Sequence, residues 1–73
     1  MDIGQAVNRL RSGGRIRRAG WNGQGMWLEL QVPDEHSKMT LPYVYMSTAQ
    51  DGLVPWLCSQ TDLLADDWEN VNA

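Results

Sequence analysis

Hydrophobic residues recur at helical spacing near the start of the chain. Four of them would lie on one face of a helix: Ile3, Ala6, Val7 and Leu10. Asp2, followed three residues later by Gln5, is typical of a capping box at a helix N terminus. The spacing therefore predicts an amphipathic helix over residues 3–12. Gly13 and Gly14 follow directly, and a glycine in the left-handed conformation is a common end to a helix.

In the rest of the chain, apolar and polar residues follow the shorter period that is typical of β-strands. The predicted strands are residues 15–18, 26–32, 43–48, 53–57 and 68–71. Residues 26–32 show the clearest period of two, with Leu28 and Leu30 on the apolar face and Trp27 on the polar face. Pro55 indicates that its strand is an edge strand or contains a bulge.

Turns and one short helix are predicted between these strands. Residues 21–25 contain Asn-Gly, which predicts a tight hairpin turn, and residues 33–40 form a polar, flexible loop. Residues 59–65 predict a helical turn with Thr61 as its N-cap. Leu63 and Leu64 are expected to face the core, and so is Trp68 in the last strand.

These elements predict an α+β domain spanning residues 1–73. An N-terminal helix packs on a small antiparallel sheet of four to five strands, with a short helical turn before the last strand. A chain of 73 residues buries only about 60% of the surface that it exposes when unfolded. A lone cysteine, Cys58, cannot form an internal disulfide. Assembly of several copies is therefore the expected source of additional stability.

The net charge of the chain and its distribution narrow the classes of molecule that the protein can bind. The net charge is -3 and the sequence pI is about 4.7, which argues against binding to nucleic acid polymers. Five of the six basic residues are Arg9, Arg11, Arg15, Arg17 and Arg18, whereas acidic residues dominate the C-terminal third. This division suits head-to-tail self-association or a local anion site. No apolar run approaches the roughly 18 residues of a membrane span, and no apolar leader segment is visible. A lone thiol favours a reducing compartment.

The titratable side chains do not form a catalytic or metal-binding set. His36 lies in a polar loop with no cysteine or carboxylate at metal-ligand spacing, and Cys58 has no histidine near it in sequence. Asp62, Asp66 and Asp67 fit a solvated turn. We therefore expect no catalytic residues, no metal and no cofactor.

Tryptophan and polar side chains instead indicate recognition. The chain has four Trp and two Tyr but no Phe, and the indole ring combines an apolar face with a hydrogen-bond donor. The candidate ligand-binding residues are Trp21, Asn22, Trp27, Trp56, Ser59, Gln60, Thr61 and Asp62, with Arg18 as a phosphate contact. Such aromatic, amide and carboxylate groups suit a nucleotide. Each tryptophan also has an alternative place in the core or at a subunit interface, and this is the preferred interpretation of Trp68.

Four blocks of sequence carry a resemblance to a known family. They are Ala-Gly-Trp-Asn-Gly at 19–23, Met-Trp-Leu at 26–28, Val-Pro-Trp at 54–56 and Ser-Gln-Thr-Asp-Leu-Leu-Ala-x-Asp-Trp at 59–68. In this order, and with the helix before them, they resemble the phage and prophage Thoeris anti-defense 2 family. The match covers almost the whole chain.

The resemblance implies a cyclic-nucleotide sponge in the cytoplasm of the bacterial host. Such a protein would sequester a cyclic ADP-ribose isomer such as the glycocyclic form, or a cyclic dinucleotide, without cleaving it. It would thereby inhibit Thoeris or CBASS-type immunity. The resemblance also implies a homotetramer, built as a dimer of dimers. The alternative function is a protein-interaction module whose tryptophan-rich surface binds a host or phage protein.

Overall fold

Five short strands form one antiparallel sheet in the computed structural model, which describes residues 1–22 and 25–71. The strands are β1 (Arg15–Arg18), β2 (Trp27–Gln31), β3 (Tyr43–Ser47), β4 (Leu53–Pro55) and β5 (Trp68–Val71). The helices are α1 (Ile3–Arg11) and α2 (Gln60–Leu63). The order across the sheet is β4-β3-β2-β1-β5. The predicted fold class is therefore confirmed, including the short helix before the last strand.

Helix α1 begins and ends with the predicted capping groups. The Asp2 carboxylate accepts a hydrogen bond from the Gln5 backbone N–H at 2.9 Å, and the Gln5 side chain accepts one from the Asp2 N–H at 3.0 Å. Ser12 is the C-cap, and Gly13 then takes a φ of 91°. An L side chain is strained at that angle, whereas glycine is not. The capping box and the glycine stop are confirmed.

The hydrophobic core lies between α1 and one face of the sheet. Its buried members are Ala6, Leu10, Ile16, Leu28 and Trp68. Ile16 and Leu28 are directly paired across β1 and β2, and Trp68 is buried in β5 as predicted. Because side chains alternate along a strand, Trp27 lies on the opposite face from Leu28, which is the face predicted for it. The five buried apolar residues of segments 1–22 and 25–71 form a small core.

Helix α1 covers only part of the sheet. Its main contacts are with β1, β2 and β5. Strand β4 is at an edge of the sheet and carries Pro55, which confirms the predicted edge position. Strands β3 and β4 lie furthest from the helix, and apolar side chains along them, such as Leu53 and Val54, are exposed. This end of the sheet thus has an apolar surface that the domain itself does not bury.

Two expectations for the 59–65 segment were wrong. Ser59, not Thr61, is the N-cap of α2, because the Ser59 hydroxyl accepts a hydrogen bond from the Asp62 N–H at 3.1 Å. Leu63 and Leu64 are exposed instead of facing the core. The helix is a single turn, and it is Asp62 that turns toward the sheet. That inward position is held by polar contacts, which leave the leucines toward solvent.

The hairpin between β1 and β2 has the expected antiparallel pairing. Gly23 and Gln24 lie outside the described residues, so the predicted tight turn at 21–25 stays a prediction. Strands β2 to β4 are shorter than expected. The residues that were predicted to belong to them but lie outside are Met26, Val32, Thr48 and residues 56–57. The difference is confined to strand ends, where assignments normally vary by one or two residues.

Candidate functional site

An arginine bound by two carboxylates lies where β1 meets β5. The Arg18 Nε donates to Asp67 Oδ1 at 2.7 Å, and its Nη1 donates to Asp62 Oδ1 at 2.9 Å. These partners are 49 and 44 residues away in sequence. The expectation that Asp62 and Asp67 lie in a solvated turn was therefore wrong, because the β1–β5 pairing brings both carboxylates to Arg18. The two acids also raise the pKa of Arg18 above its ordinary value, with Asp67 contributing most.

The same carboxylates hold the turn that leaves β1. The Gly20 N–H donates to Asp67 Oδ2 at 2.9 Å, and the Trp21 indole N–H donates to Asp62 Oδ1 at 3.2 Å. A Cβ atom at position 20 would lie 2.9 Å from that Asp67 oxygen, so a side chain there would displace the Asp67 carboxylate. Trp21 also packs edge-on against Trp68, with ring centroids 5.4 Å apart. Trp21 is thus fixed by a hydrogen bond and by a core residue.

Beside this turn lies a polar cleft of about 470 Å³. Its lining residues are Arg17, Arg18, Ala19, Trp21, Gly25, Met26 and Glu69. Trp21 supplies an aromatic wall. The half-exposed Arg17 donates from Nε to Glu69 Oε1 at 2.7 Å, and a guanidinium carries four further N–H donors. The cleft therefore combines a ring for stacking, a cation for an anion and a carboxylate that accepts hydrogen bonds.

The three candidate tryptophans lie in three different places. Trp21 lines the polar cleft, whereas Trp56 lines a separate apolar groove beside α1. Trp21 and Trp56 both pack edge-on against Trp68, at centroid distances of 5.4 and 5.9 Å. Trp27 is on the opposite face of the sheet from the core. Within one chain, these rings do not surround a common ligand.

Trp27 belongs to a cluster of its own on the open face of the sheet. The Arg15 guanidinium carbon lies 3.8 Å from the centroid of the Trp27 ring, a cation–π contact. Tyr45 packs edge-on against Trp27, and its hydroxyl donates a hydrogen bond to Glu29. That bond, together with burial, raises the pKa of Tyr45. One face of the Trp27 ring is thus already covered by Arg15.

The polar residues predicted to bind the ligand also lie in different places. Ser59 is engaged as the cap of α2, and Gln60 and Thr61 are exposed on that helix. Asn22 is exposed in the turn after Trp21. Asp62 reaches the polar cleft only through its contacts with Arg18 and Trp21. Among the residues predicted from sequence, Trp21 and Arg18 are the two that line this cleft.

Sequence reasoning did not identify Arg17 and its partner Glu69 as residues that line the cleft. Arg17 and Arg18 are adjacent in β1 and point to opposite faces of the sheet, and the prediction selected Arg18 as the phosphate contact. The described contacts use Arg18 in ion pairs with Asp62 and Asp67, whereas Arg17 is the more exposed of the two arginines. The pairing of Arg17 with Glu69 follows from the β1–β5 register, which places these residues directly opposite each other.

The cysteine and the potential metal ligands of the described residues do not form a further candidate site. Burial raises the pKa of the partly buried Cys58 thiol, which disfavours the nucleophilic thiolate. Residues 1–22 and 25–71 contain no group of three potential metal-ligating side chains. In the same ranges, neither helix has the length and apolar character needed to cross a membrane.

Acid should weaken the Arg18 ion pairs through Asp67. Arg18 holds the pKa of the Asp67 carboxyl below its ordinary value of 3.8, with the Gly20 N–H adding to the effect. A lowered folded-state pKa contributes stability above the unfolded-state pKa, and this contribution is lost as pH falls through the folded-state pKa. We expect Asp67→Asn to lower the Tm at pH 7 and to flatten the fall in Tm below about pH 4. Thermal melts from pH 7 to 2 measure both effects.

The exposed Asp51 provides the control for this measurement. Asp51→Asn, which suits the positive φ of that position, should keep the steep acid dependence of the wild-type Tm. If Asp67→Asn shows the same acid slope as wild type, the carboxylate of Asp67 does not contribute the linked stability.

The fold and the cleft define a small α+β domain with a cleft lined by tryptophan and arginine side chains. Residues 1–71 match the Thoeris anti-defense 2-like domain family. The chain is also 31% identical to Thoeris anti-defense 2 of Bacillus phage SP01 over an alignment 85 residues long. The alignment covers 99% of this chain and 96% of that protein. The chain therefore belongs to the Thoeris anti-defense 2-like family, as its sequence blocks indicated. Family membership supports a phage anti-defense role against Thoeris.

Proposed function

We propose that the protein is a sponge that binds a cyclic nucleotide immune signal and holds it without cleaving it. The ligand class is a cyclic ADP-ribose isomer such as the glycocyclic form, or a cyclic dinucleotide. Binding would lower the free concentration of the signal and so inhibit Thoeris or CBASS-type immunity. Family membership supports the anti-defense role, and the polar cleft beside Trp21 is the structural observation that carries the binding proposal.

The cleft has the size and chemistry for part of such a ligand. Ligand pockets commonly measure about 300–1,000 Å³, and the cleft has about 470 Å³. Stacking of a base on Trp21 would contribute roughly 1–3 kcal/mol. Arg17 would bind a phosphate, and Glu69 would accept hydrogen bonds from ribose hydroxyls. In this arrangement Arg18 keeps Trp21 and its turn in place, because its ion pair with Asp62 also orients the Trp21 N–H.

The remaining predicted ligand residues would complete the site in an assembly. Within one chain Trp27, Trp56 and residues 59–61 do not line the cleft, so their contact with a ligand bound there requires a neighbouring copy. We propose a homotetramer, a dimer of dimers, in the cytoplasm of the bacterial host. The small core and the exposed apolar residues of β3, β4 and α2 support association.

Thermal unfolding with a ligand panel tests the binding proposal. Purified protein is melted with cyclic ADP-ribose isomers and cyclic dinucleotides, each at about 100 times an expected dissociation constant. A ligand that binds only the folded state should add about 2.7 kcal/mol, which raises the Tm of a domain of this size by on the order of 10 °C. Linear ADP-ribose is the matched control and should have a much smaller effect.

Recovery of the ligand distinguishes a sponge from an enzyme. After heat denaturation, mass spectrometry of the supernatant should show the cyclic compound unchanged. A hydrolysed product would contradict sequestration. A panel without any Tm rise would contradict nucleotide binding, and it would favour the alternative of a protein-interaction module, which the exposed leucines around α2 also suit.

A further inference from the structure

Three leucines in or next to α2 are exposed. Leu57 is 91% exposed and Leu64 is 80% exposed, and Leu63 lies beside them on α2. We refer to Leu57, Leu63 and Leu64 as the leucine ridge. Helix α2 buries none of its residues and is held by the Ser59 cap and the Asp62–Arg18 ion pair. The fold thus fixes α2 through polar contacts and presents its leucines outward, which is typical of an association surface.

A complementary apolar groove lies on the same chain, between α1 and the half of the sheet that α1 does not cover. Its volume is about 490 Å³, and its walls include Ile3, Val7, Leu30, Val44 and Trp56. We refer to it as the helix–sheet groove. Arg11 is the one charged residue lining it among those that the structure describes. A groove of this composition favours an aliphatic occupant.

The ridge and the groove are neighbours. Trp56 forms a wall of the groove, and Leu57, the next residue, belongs to the ridge. A surface that contains both a projection and a matching depression can pair with itself about a two-fold axis, each copy filling the other's groove. The charges agree with this arrangement, because the exposed Asp66 lies two residues beyond Leu64 and would approach Arg11 of the other copy.

We propose that the leucine ridge of one copy occupies the helix–sheet groove of a second copy, and that Asp66 faces Arg11 across the contact. The proposal rests on the proposed self-association of the chain and not on the identity of its ligand. It assigns a role to the leucines that the fold leaves outside its core. It also brings α2 of one copy to the Trp56 groove of its partner.

Sedimentation velocity of the double variant L57S/L64S tests the contact. Both positions are exposed, so the variant keeps the fold of the single chain, which circular dichroism verifies. We expect the assembly to fall to about half of the wild-type mass at the same concentration, because one class of isologous contact is lost. Met39→Ser, which removes another exposed apolar side chain, should keep the wild-type mass. A double variant with the wild-type mass, or a monomeric wild-type protein, would overturn the proposal.

A charge exchange identifies the partner surface. Arg11→Glu and Asp66→Arg should each weaken association by about tenfold, and the combined variant should recover most of the loss. A combined variant weaker than either single variant would contradict the pairing of these residues. The ligand panel is measured separately. Intact association with no ligand effect would contradict the sponge alone, whereas a ligand effect in a monomeric protein would contradict this interface alone.

Discussion

Replacing Trp68 with alanine should remove a large part of the protein's free energy of unfolding. Trp68 is 2% exposed, and its ring contacts both Trp21 and Trp56. Its indole N–H donates to the Asp62 backbone carbonyl at 3.1 Å, so the ring also anchors α2. Truncation of a buried tryptophan costs about 3–5 kcal/mol. A domain of this length has a total stability of about 4–11 kcal/mol, so the loss is a large part of it.

Urea unfolding followed by far-ultraviolet circular dichroism measures this loss. Protein concentration is held fixed, because association contributes to apparent stability. Trp68→Phe keeps an aromatic ring in the core and should cost clearly less than alanine. Val32→Ala, at an exposed position outside the proposed contact, should stay within about 0.5 kcal/mol of the wild-type chain. A wild-type midpoint for Trp68→Ala would show that the core does not depend on this ring.

Replacing Trp21 with alanine should weaken binding of the cyclic nucleotide by about 5- to 150-fold. The figure corresponds to the loss of one base-stacking contact, about 1–3 kcal/mol. Trp21→Phe keeps a ring for stacking but loses the N–H that donates to Asp62, and it should retain most of the affinity. Isothermal titration calorimetry at a temperature where each variant is folded gives the dissociation constants.

Trp27→Ala is the comparison that locates the site. Trp27 does not line the polar cleft, and Arg15 covers one face of its ring. Its replacement should leave the dissociation constant unchanged if the polar cleft holds the ligand. Unchanged affinity in Trp21→Ala together with a loss in Trp27→Ala would move the site to the cluster of Trp27, Arg15 and Tyr45.

Much of the fold could be predicted from the sequence because its determinants are local. The capping box at Asp2 and Gln5, the glycine stop and the alternation around Leu28 each act over a few residues. Pro55 likewise predicted an edge strand, because proline lacks the N–H that an interior strand must donate. The predicted orientation of the α2 leucines was wrong because its determinants are not local. Leu63 and Leu64 are apolar, but the contacts that orient this helix come from Arg18, which is far away in sequence.

The candidate site was less predictable because it depends on which strands are neighbours. Residue types alone made Trp21 a candidate ligand-binding residue, and the structure places it in the polar cleft. They selected Arg18 as the phosphate contact, and they could not show that Asp62 and Asp67 bind Arg18 or that Glu69 binds Arg17 across the sheet. They also grouped Trp21 and Trp56 by type, whereas the fold places these rings in separate cavities.

The sequence by itself determined the fold class, the helix and its caps, the strand faces and the family of this protein. Those properties follow from patterns that repeat over two to four residues or from contiguous motifs. The tertiary structure alone decided that Arg18 binds Asp62 and Asp67, that Arg17 and Trp21 share a cleft, and that the leucines of α2 face outward. Each of these depends on the antiparallel register of β1 and β5, which joins residues about 50 positions apart and is not encoded in any short segment.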